Sequence, residues 1–155
     1  MMSEAGRLIA IRIRFGAQVA QVPGMDSSER VVHRIVEAAR RVHGELGPGF
    51  IESIYGRALI TELKNTGLHV EREKLIKIWY ASSVVGQHRL DLVVDQAVIV
   101  ELKANRGLVN VHAAQMNSYL HATNYPLGVI LNFGMPALEF EMIPSAKNLD
   151  QWNDS

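Results

Sequence analysis

There is no cysteine in these 155 residues. Disulfides, thiolate nucleophiles, cysteine-bound zinc and iron–sulfur clusters are excluded together, and the absence fits a reducing, cytoplasmic setting. A surplus of charge of either sign is missing too, because 16 Lys and Arg balance 16 Asp and Glu. No overall field therefore draws the chain to nucleic acid or to a membrane, and any phosphate-binding role must rest on a local site. Long apolar runs are lacking as well. Near the N-terminus Ile9, Ile11, Ile13 and Phe15 alternate with Ala10, Arg12 and Arg14, the period of a strand, and the arginines exclude a membrane span or a secretory core. The histidines form no HExxH or comparable metal spacing. There is no phosphate-binding P-loop, GxSxG elbow or Rossmann glycine run.

What is present describes an ordinary globular domain. Apolar residues make up 48% and charged residues 21%, close to the average for soluble folds. The length suits one domain whose core needs no staples. Residues 1–24 read as a separate extension closed by Pro23-Gly24. An upstream start codon called in error and a basic edge strand or arm both fit it. The domain proper is expected over residues 25–145, with a frayed tail over 146–155.

Asp26, Ser27 and Ser28 offer N-caps to a first helix whose Val32, Ile35, Val36, Ala39, Val42 and Leu46 recur at helical spacing. Gly47-Pro48-Gly49 stops it. A second helix is predicted from about Phe50 to Asn65, with Ile51, Ile54, Tyr55, Ala58, Leu59 and Leu63 as its buried stripe. Leu68–Tyr80 is extended, and Ala81–Gly86 has the small, polar character of a turn or loop. Two β-rich runs, Leu90–Val94 and Ala97–Lys103, make a hairpin. A third helix follows over about Val109–Thr123, then strands at Leu127–Phe133 and near Leu138–Ile143. The order is helix, helix, three strands, helix, two strands. That is a mixed α/β (α+β) domain without internal repeats.

The hairpin RLDLVVDQAVIVELKA is apolar enough to be central, yet Asp91, Glu101 and Lys103 lie within it. A lone buried carboxylate is costly unless it is paired or binds a cation. Glu101 and Lys103 are two apart and share a face. Asp91 joins them only if the connection has an odd number of residues, such as Asp95-Gln96-Ala97, or if a bulge resets the register. A two-residue turn at Asp95-Gln96 would set Asp91 opposite Val100 and send the carboxylates to opposite faces. With the odd loop, the two β-carbons lie ~5 Å apart. Such a pair can share a hard divalent cation such as Mg²⁺ (or Mn²⁺), with room left for water and a phosphate. The competing reading is a carboxylate–lysine pair that only neutralises itself.

Gly49-Phe50-Ile51-Glu52-Ser53-Ile54-Tyr55 carries the pattern G-x-x-E-x-x-Y. With ELGPGF, ALITEL, RLDLVVDQAVIVELKA, VHAAQMNSYL and PLGVILNFG, it resembles the bacterial GxxExxY protein family, which is grouped with the PD-(D/E)XK nuclease superfamily. The resemblance runs from about Ser27 to Ile143. It implies a core sheet of about four strands flanked by helices, and a Mg²⁺- or Mn²⁺-dependent phosphodiesterase centre acting on DNA or RNA. Asp91, Glu101 and Lys103 match the motif's aspartate, (D/E) and lysine, while Leu90 stands where a proline often precedes the aspartate. Glu52 matches an acidic residue that reaches the metal, directly or through water. Gln115 matches a helix residue contacting the metal-bound water or the phosphate. His112, Tyr119 and Arg89 are candidate substrate contacts, and a homodimer is compatible with the resemblance. Tyr55, Asn132 and Phe133 are expected to be structural, and Trp79 and Tyr80 to lie in the core unless they stack on a base. A basic patch drawn from residues such as Arg57, Arg72, Lys77 and Arg89 should border the site. The alternative to an enzyme is a non-catalytic module binding nucleic acid or protein on the same fold.

Overall fold

The computed structural model describes residues 26–147; the N-terminal extension and most of the tail lie outside the described residues. Helix α1 spans Ser27–Leu46 and opens on Asp26, whose carboxylate accepts the Glu29 N–H while the Glu29 carboxylate accepts the Asp26 N–H, each at 2.9 Å. This reciprocal box satisfies two donors that a helix start leaves free. Helix α2 spans Glu52–Asn65 and lies against α1, tied to it by the Arg41–Glu62 ion pair at 3.0 Å. Five strands follow, interrupted by one helix: β1 Val70–Tyr80, β2 Ser83–Val94, β3 Val98–Lys103, α3 Asn110–Ala122, β4 Leu127–Asn132 and β5 Glu139–Pro144. They form one sheet in the order β1-β2-β3-β4-β5, with only β3 and β4 parallel. A parallel pair needs a crossover, and α3 supplies it.

The sheet buries both faces. Leu92, Val94, Val98, Val100 and Leu102 pack with Val129 and Leu131 under α1 and α2. Val93, Ile99 and Ile130 pack on the other side with Ala113, Met116 and Leu120 of α3. The mixed sheet flanked by helices is the expected fold class. The edges of several elements differ from the expectation. Ile51 and Ile54, assigned to the buried stripe of α2, are 67% and 40% exposed, because Ile51 precedes the helix, which starts only at Glu52, and Ile54 lies beside the face that Tyr55, Leu59 and Leu63 bury. On α3, Val109 is exposed and Tyr119 takes its place in the core.

The largest difference is in the first hairpin. Ala81–Gly86 is not a loop, since β2 begins at Ser83 and only Ala81-Ser82 turn the chain. β1 and β2 thus form an arm that runs beyond the helices. Trp79 and Tyr80, expected in the core, are 60% and 76% exposed near its tip. The structural residues behave as their chemistry suggests. Tyr55 is buried, stacks on Phe133 with ring centroids 4.6 Å apart, donates to the Gly47 carbonyl at 2.5 Å and accepts the Phe50 N–H at 3.1 Å. Asn132 is wholly buried; its oxygen accepts the N–H groups of Asn105 and Gly134, and its amide donates to Asn105 and Glu139.

Candidate functional site

The β2–β3 connection has three residues. Val94 pairs with Val98, Val93 with Ile99 and Leu92 with Val100. Asp95 and Gln96 both take positive φ, 50° and 52°, as in the tight turns that suit hairpins, and Ala97 is the extra residue that makes the loop odd. The Asp95 carboxylate accepts the His69 N–H at 2.8 Å and fixes this end of the hairpin. The register therefore carries Asp91 toward Glu101 rather than Val100.

At that point the ladder opens. The last β2–β3 pair is Leu92–Val100, and on the other side of β2 the ladder to β1 passes from Arg72–Leu92 to Lys74–Leu90 without Glu73 or Asp91. Glu73 is left-handed, with φ 51°. The strand also rolls here: Leu92 packs under α1 and α2, while Leu90 and Val93 both pack under α3. Asp91 thus lies in a fork between strands. Its carboxylate accepts the Leu102 N–H at 2.9 Å, standing in for a lost ladder bond.

Glu101 lies across the fork, only 7% exposed, with one carboxylate oxygen that has no hydrogen-bond partner among the described residues. Its carboxyl is pushed up to about 8, first by burial and then by the negative charge of Asp91. Lys103 and the Asp91 N–H act in the opposite direction, and Glu52 adds a small further push upward. These four residues are therefore within electrostatic reach of one another. Two carboxyl groups this close raise each other's affinity for protons, and a cation placed between them would relieve the same repulsion. Two oxygen donors, one of them buried and unpartnered, suit Mg²⁺ or Mn²⁺ by type.

Glu52 is the first residue of α2 and is exposed on the wall of a cleft shared with Arg57, Arg72, Glu73, Asp91 and Leu102. The helix can approach this closely because Gly56, one turn on, has no side chain; a β-carbon there would meet Leu102 Cδ1 at 2.9 Å. No three His, Asp or Glu side chains among the described residues are gathered closely enough to hold an ion together. The preformed part is the Asp91–Glu101 pair, with Glu52 outside it.

The α3 residues divide. Gln115 is exposed and lies near enough to Tyr119 to offset part of a rise that takes the Tyr119 hydroxyl up to about 12, a rise caused by burial and by the charges of Glu101 and Asp91. Tyr119 itself lies in the core. It is 6% exposed, stacked on His88 at 4.1 Å, and its oxygen is closed off from solvent without a hydrogen bond of normal geometry. It stands close enough to Glu101 and Asp91 to feel both of their charges. His112 Nδ1 accepts the Val109 N–H at 3.3 Å, so the ring is engaged at the start of α3. Arg89 is exposed on β2, two residues before Asp91. Sequence reasoning missed Glu73, whose backbone opens the fork. An acidic residue in an alternating strand gives no signal of a left-handed conformation.

Fold, motif and family agree. The family model described as the PD-(D/E)XK nuclease superfamily matches residues 29–143, and the chain belongs to that superfamily. Among solved structures it is similar to SSO0001, with 18% identity and a TM-score of 0.48; the match covers 66% of this chain and 59% of that one. No curated protein matches. No helix among the described residues is long and apolar enough to cross a membrane.

Proposed function

We propose that this chain is a Mg²⁺- or Mn²⁺-dependent nuclease of the GxxExxY type, hydrolysing phosphodiester bonds of DNA or RNA. The observation that carries this reading is the buried, unpartnered oxygen of Glu101, a carboxyl within electrostatic reach of Asp91. A sheet does not retain two such carboxylates for stability, since burying charge without a counter-ion opposes folding. A bound divalent cation supplies Lewis-acid polarisation of the phosphate and a more acidic water. Asp91 and Glu101 hold it, and Glu52 supports it through water. Lys103, half-buried at the end of β3, positions the attacking water and offsets charge growing on the phosphate. Gln115 orients the same water from α3. Arg57 and Arg72, on the walls of the cleft, place basic charge beside the acids.

Calorimetric titration with Mg²⁺ and with Mn²⁺, wild type against Asp91→Ala, tests this first. Cleavage assays on branched, single-stranded and duplex substrates follow. Metal binding that disappears in Asp91→Ala, with cleavage that disappears in Glu101→Gln, is the expected result. Metal titrations indistinguishable between the two proteins would overturn the reading. The absence of a three-ligand cluster among the described residues favours a second reading, a non-catalytic binding module, and that module would take up its partner without divalent ions.

A further inference from the structure

The arm of β1 and β2 is covered on one face only. Ile76, Ile78 and Leu90 point to α3, and alternation turns the intervening residues the other way. The cross-strand pairs Leu75–Arg89 and Lys77–Gln87 line that second face, and Trp79 follows on β1, where a register shift sets it opposite Val84. No helix among the described residues covers it, with Leu75 50%, Trp79 60% and Val84 42% exposed. Between Lys74 and Leu90 the chain has three cations and no carboxylate, although the whole protein is neutral. Lys74 is held by Glu71 at 2.6 Å, whereas Lys77 and Arg89 make no ion pair with a described residue. The face also begins at the fork. Arg89 is two residues from Asp91, and Arg72, paired with Leu92, lines the cleft that contains Glu52 and Asp91.

We infer that this face is the track of a single-stranded stretch of nucleic acid, with phosphates passing Arg89 and Lys77 and an unpaired base stacked on the Trp79 indole. The assignment rests on the nuclease reading for where the strand leads, and adds to it the form of the substrate. Uncompensated cations along a strand match a phosphate backbone, and an exposed indole among them matches a base with a free face. A duplex offers phosphates alone, because its bases already stack on one another. From Val84 to Asp91 the strand covers roughly 20 Å, enough for several nucleotides leading away from the carboxylates.

The chain has two tryptophans, Trp79 and Trp152, so Trp152→Phe leaves Trp79 as the reporter. That protein is titrated in Ca²⁺ with an oligothymidylate and with a duplex of equal length. The single strand is expected to quench Trp79 and to bind more tightly than the duplex. Trp79→Ala should weaken single-strand binding about 5- to 100-fold, and Trp79→Phe should restore most of it. Lys77→Ala should flatten the salt dependence by about one phosphate contact, a slope change of roughly 0.7. Circular dichroism of each variant checks the fold. An unquenched Trp79, or equal single-strand affinity with and without its indole, overturns the assignment. The metal titration of Asp91→Ala separates the two claims: a protein that binds Mg²⁺ through Asp91 but leaves Trp79 silent keeps the nuclease and loses the track. Quenching without Asp91-dependent metal binding keeps the track and loses the nuclease.

Discussion

Replacing Glu101 by Gln should make the metal-free protein more stable, and by an amount that depends on pH. In the folded chain the Glu101 carboxyl titrates at about 8, against 4.5 when free of its surroundings. A folded-state value above the unfolded one means that the contribution to stability is intact below 4.5 and is lost as pH rises through 8. Across that window the wild type should lose roughly 1.4 kcal/mol for each pH unit, and roughly 5 kcal/mol in all. Glu101→Gln keeps the size and polarity of the side chain but has no proton to lose, so its stability should stay level through the same range. Urea unfolding of both proteins in EDTA, at intervals from pH 5 to 9, measures the difference. Adding Mg²⁺ at pH 8 should return most of the lost stability to the wild type and none to Glu101→Gln, because the ion takes the place of the proton. Parallel stability curves for the two proteins would refute the argument. A Glu101→Gln protein weaker by ~3 kcal/mol at pH 8 would be worse still, since that is the behaviour of a self-neutralising structural pair.

Lys103→Ala removes the cation that draws Glu101 downward, so the pH window in the same experiment should extend above 8 while the fold at pH 6 remains intact. Tyr55→Phe deletes a hydroxyl bonded to both Gly47 and Phe50 and should lower the unfolding free energy by about 1–3 kcal/mol in urea. Gly134→Ala would set a β-carbon 2.3 Å from the Asn105 carbonyl oxygen and should destabilise by ~1–3 kcal/mol or more. Gly44→Ala, where nothing lies within 4 Å in the last turn of α1, should instead stabilise by up to ~0.5–1 kcal/mol. Thermal melts of the two glycine variants side by side check both signs.

The part of the site that could be read from the sequence was the part governed by counting. Asp91 and Glu101 share the fork because residues 95–97 make a loop of odd length, and parity is visible in any sequence once the loop is known. Helix α1 was legible because cap, period and stop all agree. The arm was not. Ala81, Ser82, Ser83 and Gly86 have the character of a turn and outweigh the two valines between them, yet Ser83–Gly86 forms a strand because β1 beside it supplies a ladder, and strand preference follows the neighbour more than the residue. Trp79 looked like core because tryptophan in a strand usually is. Whether a helix reaches far enough to cover it is a matter of tertiary geometry. Ile51 and Ile54 likewise kept the apolar spacing of α2 but stay exposed, one before the helix and the other beside its buried face.

The left-handed Glu73 has a consequence for the protein's neighbours as well as for Asp91. β1 is an edge strand of eleven residues carrying Leu75, Ile76 and Ile78, and a straight, apolar edge of that length invites the edge of another copy to pair with it. This one is broken at Glu73, which leaves the ladder without changing its register, and its register slips between Ile78 and Trp79. The regular stretch between the two breaks is short and carries Lys74 and Lys77. A second chain therefore finds no long template to extend. The irregularity that releases Asp91 from the ladder also guards against aggregation, so a variant that straightened β1 would be expected to lose solubility together with the site.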